Sequence, residues 1–136
     1  MLGDKIGEET GKITGQKVLP PDGLSPKFEA TYQGSGTTLG LNTSVTVTYW
    51  SIVMPDGTLH GEGQGVLMTQ DGEMANVKSE GVGRSTGRGP TAVSWRGNSY
   101  YQTASHKLAR LNSVVAVWEY EIDENGNVQG TIWEWK

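Results

Sequence analysis

Apolar and polar positions alternate along most of this chain, and the alternation breaks at short turn signals. Over residues 58–69, Leu59, Gly61, Gly63, Gly65 and Leu67 share one face, while His60, Glu62, Gln64, Val66 and Met68 share the other. Asp56-Gly57, Asp71-Gly72 and Asn125-Gly126 sit between runs rich in Val, Thr, Tyr and Trp, the pattern of β-hairpins. Reading outward from these turns predicts strands at about 11–19, 27–33, 44–54, 58–69, 73–84, 91–103, 113–122 and 128–135. Short connections make consecutive strands antiparallel neighbours. The expected fold is therefore all-β, an up-and-down antiparallel barrel of about eight strands. The one helical turn expected is Ser105 to Asn112, capped by Ser105 and ended by Asn112, plugging one end of the barrel. Residues 20–26, Pro-Pro-Asp-Gly-Leu-Ser-Pro, read as a loop. Gly3, Gly7, Gly11 and Gly15 are separated by polar and charged residues, so residues 1–10 read as a loose N-terminal arm.

Composition narrows the class. A length of 136 residues fits one domain, here the barrel over 1–136. The 20 glycines favour loops and close backbone contacts, and zero cysteines exclude disulfides, thiolate metal sites and cysteine nucleophiles. No apolar run reaches the roughly 18–20 residues of a membrane span, and mean hydropathy is −0.46, so no membrane partner is expected. Met1 to Glu9 has neither a basic n-region nor an apolar h-region, so a cytoplasmic location is expected.

Several motifs are weaker than they first look. Gly7-Glu8-Glu9-Thr10-Gly11-Lys12 has three residues between its glycines where a phosphate-binding loop needs four, and Ile13 follows the lysine. Gly83-Arg84-Ser85-Thr86-Gly87 matches G-x-S-x-G, but Gly87-Arg88-Gly89-Pro90 forbids the helix that a nucleophile elbow requires. Asp123, Asn125, Asn127 and Glu134 fall on calcium-loop positions, yet Val128 occupies the glycine position, and a type I′ hairpin suits these residues better. With only His60 and His106, no metal is expected, and no cofactor. Residues 81–118 hold Arg84, Arg88, Arg96, Lys107 and Arg110 and no acid, whereas 119–136 hold five acids, an arrangement that suits neighbouring strands of opposite charge. Net charge −4 and a pI near 5.1 argue against nucleic acid.

The candidate ligand-binding residues are Trp50, His60, Glu62, Arg96, Tyr100 and Glu119, and no catalytic residue is assigned. The strands carrying Trp50 and the His60/Glu62 pair are joined at Pro55-Asp56-Gly57. A bulged hairpin at Gln70-Asp71-Gly72 sets Glu62 opposite Glu80 and Gln64 opposite Lys78; a two-residue turn sets Glu62 opposite Gly81. Facing carboxylates call for a cation, with Arg84 and Arg96 the candidates. The glycine stripe of Gly61, Gly63 and Gly65, continued by Gly81 and Gly83, marks either a barrel corner or a floor for a planar ligand or an aromatic such as Trp95. Trp118 and the pair Trp133 and Trp135 suit either a core or a homo-oligomer interface.

The segments His60 to Val66, Met68 to Glu73, Trp95-Arg96-Gly97, Thr103-Ala104-Ser105, Lys107 to Asn112, Trp118 to Glu121 and Trp133 to Lys136 together resemble a family of small uncharacterised prokaryotic proteins. The resemblance covers most of residues 60–136 and implies no activity. A remoter likeness, in strand order and glycine-rich hairpins, is to the allene oxide cyclase-like barrel, which implies an apolar cavity open at one end. The expected function is binding of a small apolar or amphipathic molecule inside the barrel. The alternatives are a cofactor-free isomerase or cyclase using a carboxylate and Arg96, and a structural homo-oligomer.

Overall fold

A computed structural model describes residues 1–89 and 91–136. Eight strands close into one antiparallel barrel in sequence order: β1 (Leu2–Asp22), β2 (Ser25–Thr38), β3 (Leu41–Val53), β4 (Leu59–Thr69), β5 (Met74–Ser85), β6 (Val93–Gln102), β7 (Ala116–Ile122) and β8 (Asn127–Trp135). β8 pairs back onto β1, with Glu8 beside Thr131 and Gly11 beside Val128. Every strand therefore has two neighbours over the body of the barrel, which removes the exposed edges of an open sheet.

Residues 1–10 are not a loose arm: from Leu2 they belong to β1, the longest strand. Gly7, Glu9 and Gly11 face inward there, beside Thr38, Gly36 and Gly34 of β2. The proline-rich stretch is likewise mostly strand, since β1 runs to Asp22 and turns at Gly23 (φ 62°). Past Lys12 β1 outruns β8 and pairs with β2 alone, leaving Val18 and Leu24 exposed on an overhanging ribbon. Pro20 and Pro21, at the register shift between Leu19 and Asp22, each lack a backbone donor.

The three Asp-Gly and Asn-Gly turns share one geometry. At Asp71-Gly72, the Thr69 amide donates to the Glu73 carbonyl (2.8 Å), the Gly72 amide donates to the Thr69 carbonyl (3.1 Å), and Gly72 has φ 87°. This is the bulged hairpin, and it places Glu62 opposite Glu80 and Gln64 opposite Lys78. The Asn125-Gly126 turn is of the same kind rather than type I′, because Gly126 (φ 79°) has positive φ and Asn125 does not. Asp123 holds that turn by accepting from the Asn125 and Asn127 amides (2.9 and 2.8 Å), which occupies the carboxylate that the calcium pattern singled out. Ser85 accepts from the Gly87 amide (3.2 Å) beyond the end of β5, a local turn; Pro90 lies outside the described residues.

One end is closed by the connection between β6 and β7. Its helical turn is a 3-10 turn, Ala109–Ser113, shorter and later than expected. Leu108 and Leu111 are wholly buried there in a core with Ile6, Val114 and Ala116. Asn112 fastens the connection, accepting from the Thr103 amide (2.8 Å) and donating to the Thr103 carbonyl (2.9 Å). Ser105 accepts from the Leu108 amide (3.3 Å), one step before the turn.

Candidate functional site

Strand alternation decides what the interior holds. On β4 the inward set is Leu59, Gly61, Gly63, Gly65 and Leu67, and the register carries the same face to Gly83, Gly81, Ser79, Val77 and Ala75 of β5, then to Trp95, Gly97, Ser99 and Tyr101 of β6. Trp118 and Tyr120 of β7 continue it. Glycines leave room where the indoles lie flat. A Cβ on Gly61 or Gly83 would stand 3.1 or 2.9 Å from Trp95, and one on Gly81 would stand 2.7 Å from Trp118. The stripe is thus a floor for aromatic rings, Trp95 among them, in a barrel whose glycines also permit tight curvature. Edge-on contacts join Tyr49 to Trp95 (6.0 Å between centroids), Trp118 to Tyr120 (5.0 Å) and Tyr32 to Tyr120 (6.1 Å).

These rings surround a cavity of about 100 Å³. Its apolar lining includes Val45, Val47, Leu67 and Val77, and its polar groups are few. Trp118 Nε1 donates to Ser99 Oγ (2.8 Å), which is 2.6 Å from Ser79 Oγ. Glu9 of β1 projects into the same space, 7% exposed. Its Oε1 accepts from Tyr120 OH (2.6 Å) and from Tyr32 OH (3.4 Å). Burial pushes the Glu9 carboxyl above the usual carboxylate range, and the two hydroxyl bonds offset only part of that rise. Burial and the neighbouring carboxyl also raise Tyr32, Tyr101 and Tyr120, while burial alone pushes Tyr49 up to about 12. At neutral pH the tyrosines are therefore neutral hydroxyls.

The six residues expected to line a pocket lie elsewhere. His60, Glu62, Arg96, Tyr100 and Glu119 are exposed on the outer face, and Trp50 is half-buried there with Lys27 Nζ 4.8 Å from its ring centroid. Trp50 does stand beside Glu62, and Arg96 beside Glu119, but on a convex surface. Glu62 touches the cavity wall only between Gly61 and Gly63, with its side chain turned to the outside. Arg96 does not serve the Glu62 and Glu80 pair. Its Nη1 is 2.9 Å from Glu121 and its Nε 3.7 Å from Glu119. This is the pairing of opposite charges between β6 and β7 that the sequence segregates, and Arg110 with Glu134 (2.8 Å) repeats it at the closed end. Arg96 and its partners are about half exposed, so Arg96→Ala is expected to lower stability by no more than about 0.5 kcal/mol in urea unfolding.

Of the three tryptophans near the C-terminus, Trp133 and Trp135 face outward, the latter 53% exposed beside Leu2 and near Val115, whereas Trp118 belongs to the interior. The residue sequence reasoning missed is Glu9. Gly7, Glu9, Gly11 and Ile13 share a strand face, the same glycine-rich alternation as in β4, and that pattern was the available signal. Among the described residues no group of three side chains is placed to hold a metal ion, and no helix is long and apolar enough to cross a membrane.

Neither a family model nor a curated protein sequence matches the chain. Solved structures of prokaryotic proteins share its fold. One is a protein of unknown function from Clostridium acetobutylicum, with TM-score 0.82 and 16% identity over 98% of this chain and 97% of that one. A conserved protein of unknown function from Rhodopseudomonas palustris gives 0.80 and 16% over 98% and 97%. A β-barrel-like protein from Acinetobacter baumannii gives 0.82 and 16% over 100% and 96%. At this identity the likeness is one of fold alone.

Proposed function

We propose that this barrel binds a small molecule in its interior, with Glu9 and the tyrosines around it as the polar anchor. The observation that carries the reading is the cavity of about 100 Å³, walled by aromatic and aliphatic side chains and holding one buried carboxyl. Binding sites of this kind combine an apolar lining with a few polar groups that fix orientation. The volume exceeds the roughly 30 Å³ share of one water and falls below the roughly 300 Å³ where drug-sized pockets begin. The occupant is accordingly a very small molecule, or one end of a larger one. The remoter likeness to the allene oxide cyclase-like barrel points the same way, toward an apolar interior. An isomerase reading passes from Arg96 and Glu119, which are outside, to Glu9, whose raised pKa suits proton transfer to a bound molecule.

Xenon titration of the full chain, followed by methyl NMR, tests the binding reading. Shifts concentrated at Val45, Val47, Leu67 and Val77, with the outer Val66 and Val82 unmoved, are expected. Uniform or absent shifts at saturating xenon, together with no bound mass in native mass spectrometry, defeat it.

A further inference from the structure

We infer that the interior site takes a small protonated amine, its ammonium group against Glu9 and its alkyl groups against the surrounding rings. The inference rests on the interior-binding reading above and adds the chemical class of the ligand.

Charge comes first. A carboxyl taken out of water is either neutralised by a proton or paired with a cation. Glu9 is 7% exposed, and none of the nine ion pairs among the described residues includes it. The groups facing it are Tyr32 from β2, Tyr101 from β6 and Tyr120 from β7, while Gly130 lies opposite it on β8. No lysine, arginine or histidine stands among them. Hydrogen bonding comes next. Both tyrosine bonds go to Oε1, and Oε2 has no partner among the described residues. The carboxyl therefore keeps a free acceptor at the cavity, and an ammonium N–H is a donor that also supplies the missing charge.

The walls favour a cation as well. Tyr49, Trp95, Trp118 and Tyr120 present π systems to the cavity, and aromatic boxes recognise alkylammonium groups through the negative faces of their rings. An anion is opposed by Glu9. A metal ion finds one carboxyl where it needs several ligands. Size then limits the group: a cavity of roughly 150 Å³ admits benzene, so about 100 Å³ suits a head of about five heavy atoms with modest expansion.

The test uses three isosteric probes on the full-length protein: tert-butylammonium, tetramethylammonium and tert-butanol, titrated at pH 7.5 with methyl and aromatic NMR. Both ammonium ions are expected to bind about tenfold or more tighter than the alcohol. Glu9→Gln is expected to abolish that preference, its fold checked by circular dichroism. A second measurement needs no variant. Tetramethylammonium does not titrate, so its affinity should rise with pH as Glu9 gives up its proton and then level off. Equal binding of alcohol and amines, or a flat profile for tetramethylammonium from pH 4.5 to 9, overturns the amine class. If xenon still fills the cavity in that event, interior binding stands; if xenon fails too, both readings fall.

Discussion

Gly97→Ala is expected to cost about 3 kcal/mol and to lower the melting temperature by roughly 10 °C. A Cβ at this position would stand 2.5 Å from two atoms of the Trp118 ring and closer still to the Glu80 carbonyl oxygen. Neither neighbour retreats cheaply. The carbonyl belongs to the paired backbone of β5, and the indole is anchored by its Nε1 bond to Ser99. Moving the ring breaks that bond or drives it into Tyr120, 5.0 Å away between centroids, which in turn holds Glu9. Overpacking here therefore spreads along one chain of contacts from β6 to the buried carboxyl. Gly15→Ala supplies the contrast, since nothing lies within 4 Å of its Cβ and its φ is ordinary. That substitution is expected to stay within about 0.5 kcal/mol of wild type. Urea unfolding of both variants, with near-ultraviolet circular dichroism reporting the indoles, checks the pair. A loss below about 1 kcal/mol at Gly97 means the Trp118 ring moves freely and is no fixed wall.

The same glycines explain what could be read from the sequence and what could not. From β3 onward, strand bounds follow from alternation and from Asp-Gly turns, because each turn fixes the phase of the strand after it. The barrel follows from eight such strands with short connections. The first half of β1, residues 2–10, escaped because its inward positions are Gly7 and Glu9 rather than large apolar residues. Its small inward residues answer to neighbours on other strands. A Cβ on Gly7 would stand 3.0 Å from the Thr37 carbonyl oxygen of β2, just as one on Gly130 of β8 would run into the Tyr120 ring of β7. A local pattern holds no record of rings and carbonyls supplied from elsewhere. The site failed for a related reason. His60 and Glu62 carry more chemistry than Gly61 and Gly63, so the polar face of β4 looked like the functional one. The interior instead receives its side chains from the other strands, among them Glu9 of β1, Tyr32 of β2, Tyr49 of β3, Trp95 of β6 and Trp118 of β7, and β4 contributes mainly the absence of them.

Glu9→Gln is expected to remove a pH dependence that the wild type shows on the alkaline side of ordinary carboxylate titration. Burial raises the folded-state pKa of Glu9 above its unfolded value, so in the window between the two the folded protein holds a proton that the unfolded chain has lost. Stability is thus full below the ordinary value, falls as pH rises through the folded pKa, and stays low beyond it. Asp71 and Asp123 act in the opposite direction. Lys107 holds Asp71 low and Asn127 holds Asp123 low, so their contribution is present at neutral pH and lost as pH falls. The tyrosines Tyr32, Tyr101 and Tyr120 act only in strongly basic solution, where the unfolded chain ionises first. A glutamine at position 9 still accepts from Tyr120 and never ionises, so it leaves the acid and strongly basic limbs intact and flattens the span between them. Above that span the variant is expected to be about 2 kcal/mol more stable than wild type, the order of an uncompensated buried polar group. Melting curves of the two proteins from pH 4 to 9 decide the matter. Parallel curves across the whole range would mean that Glu9 ionises as freely inside the barrel as in water, and that the cavity is wet enough to need no cation.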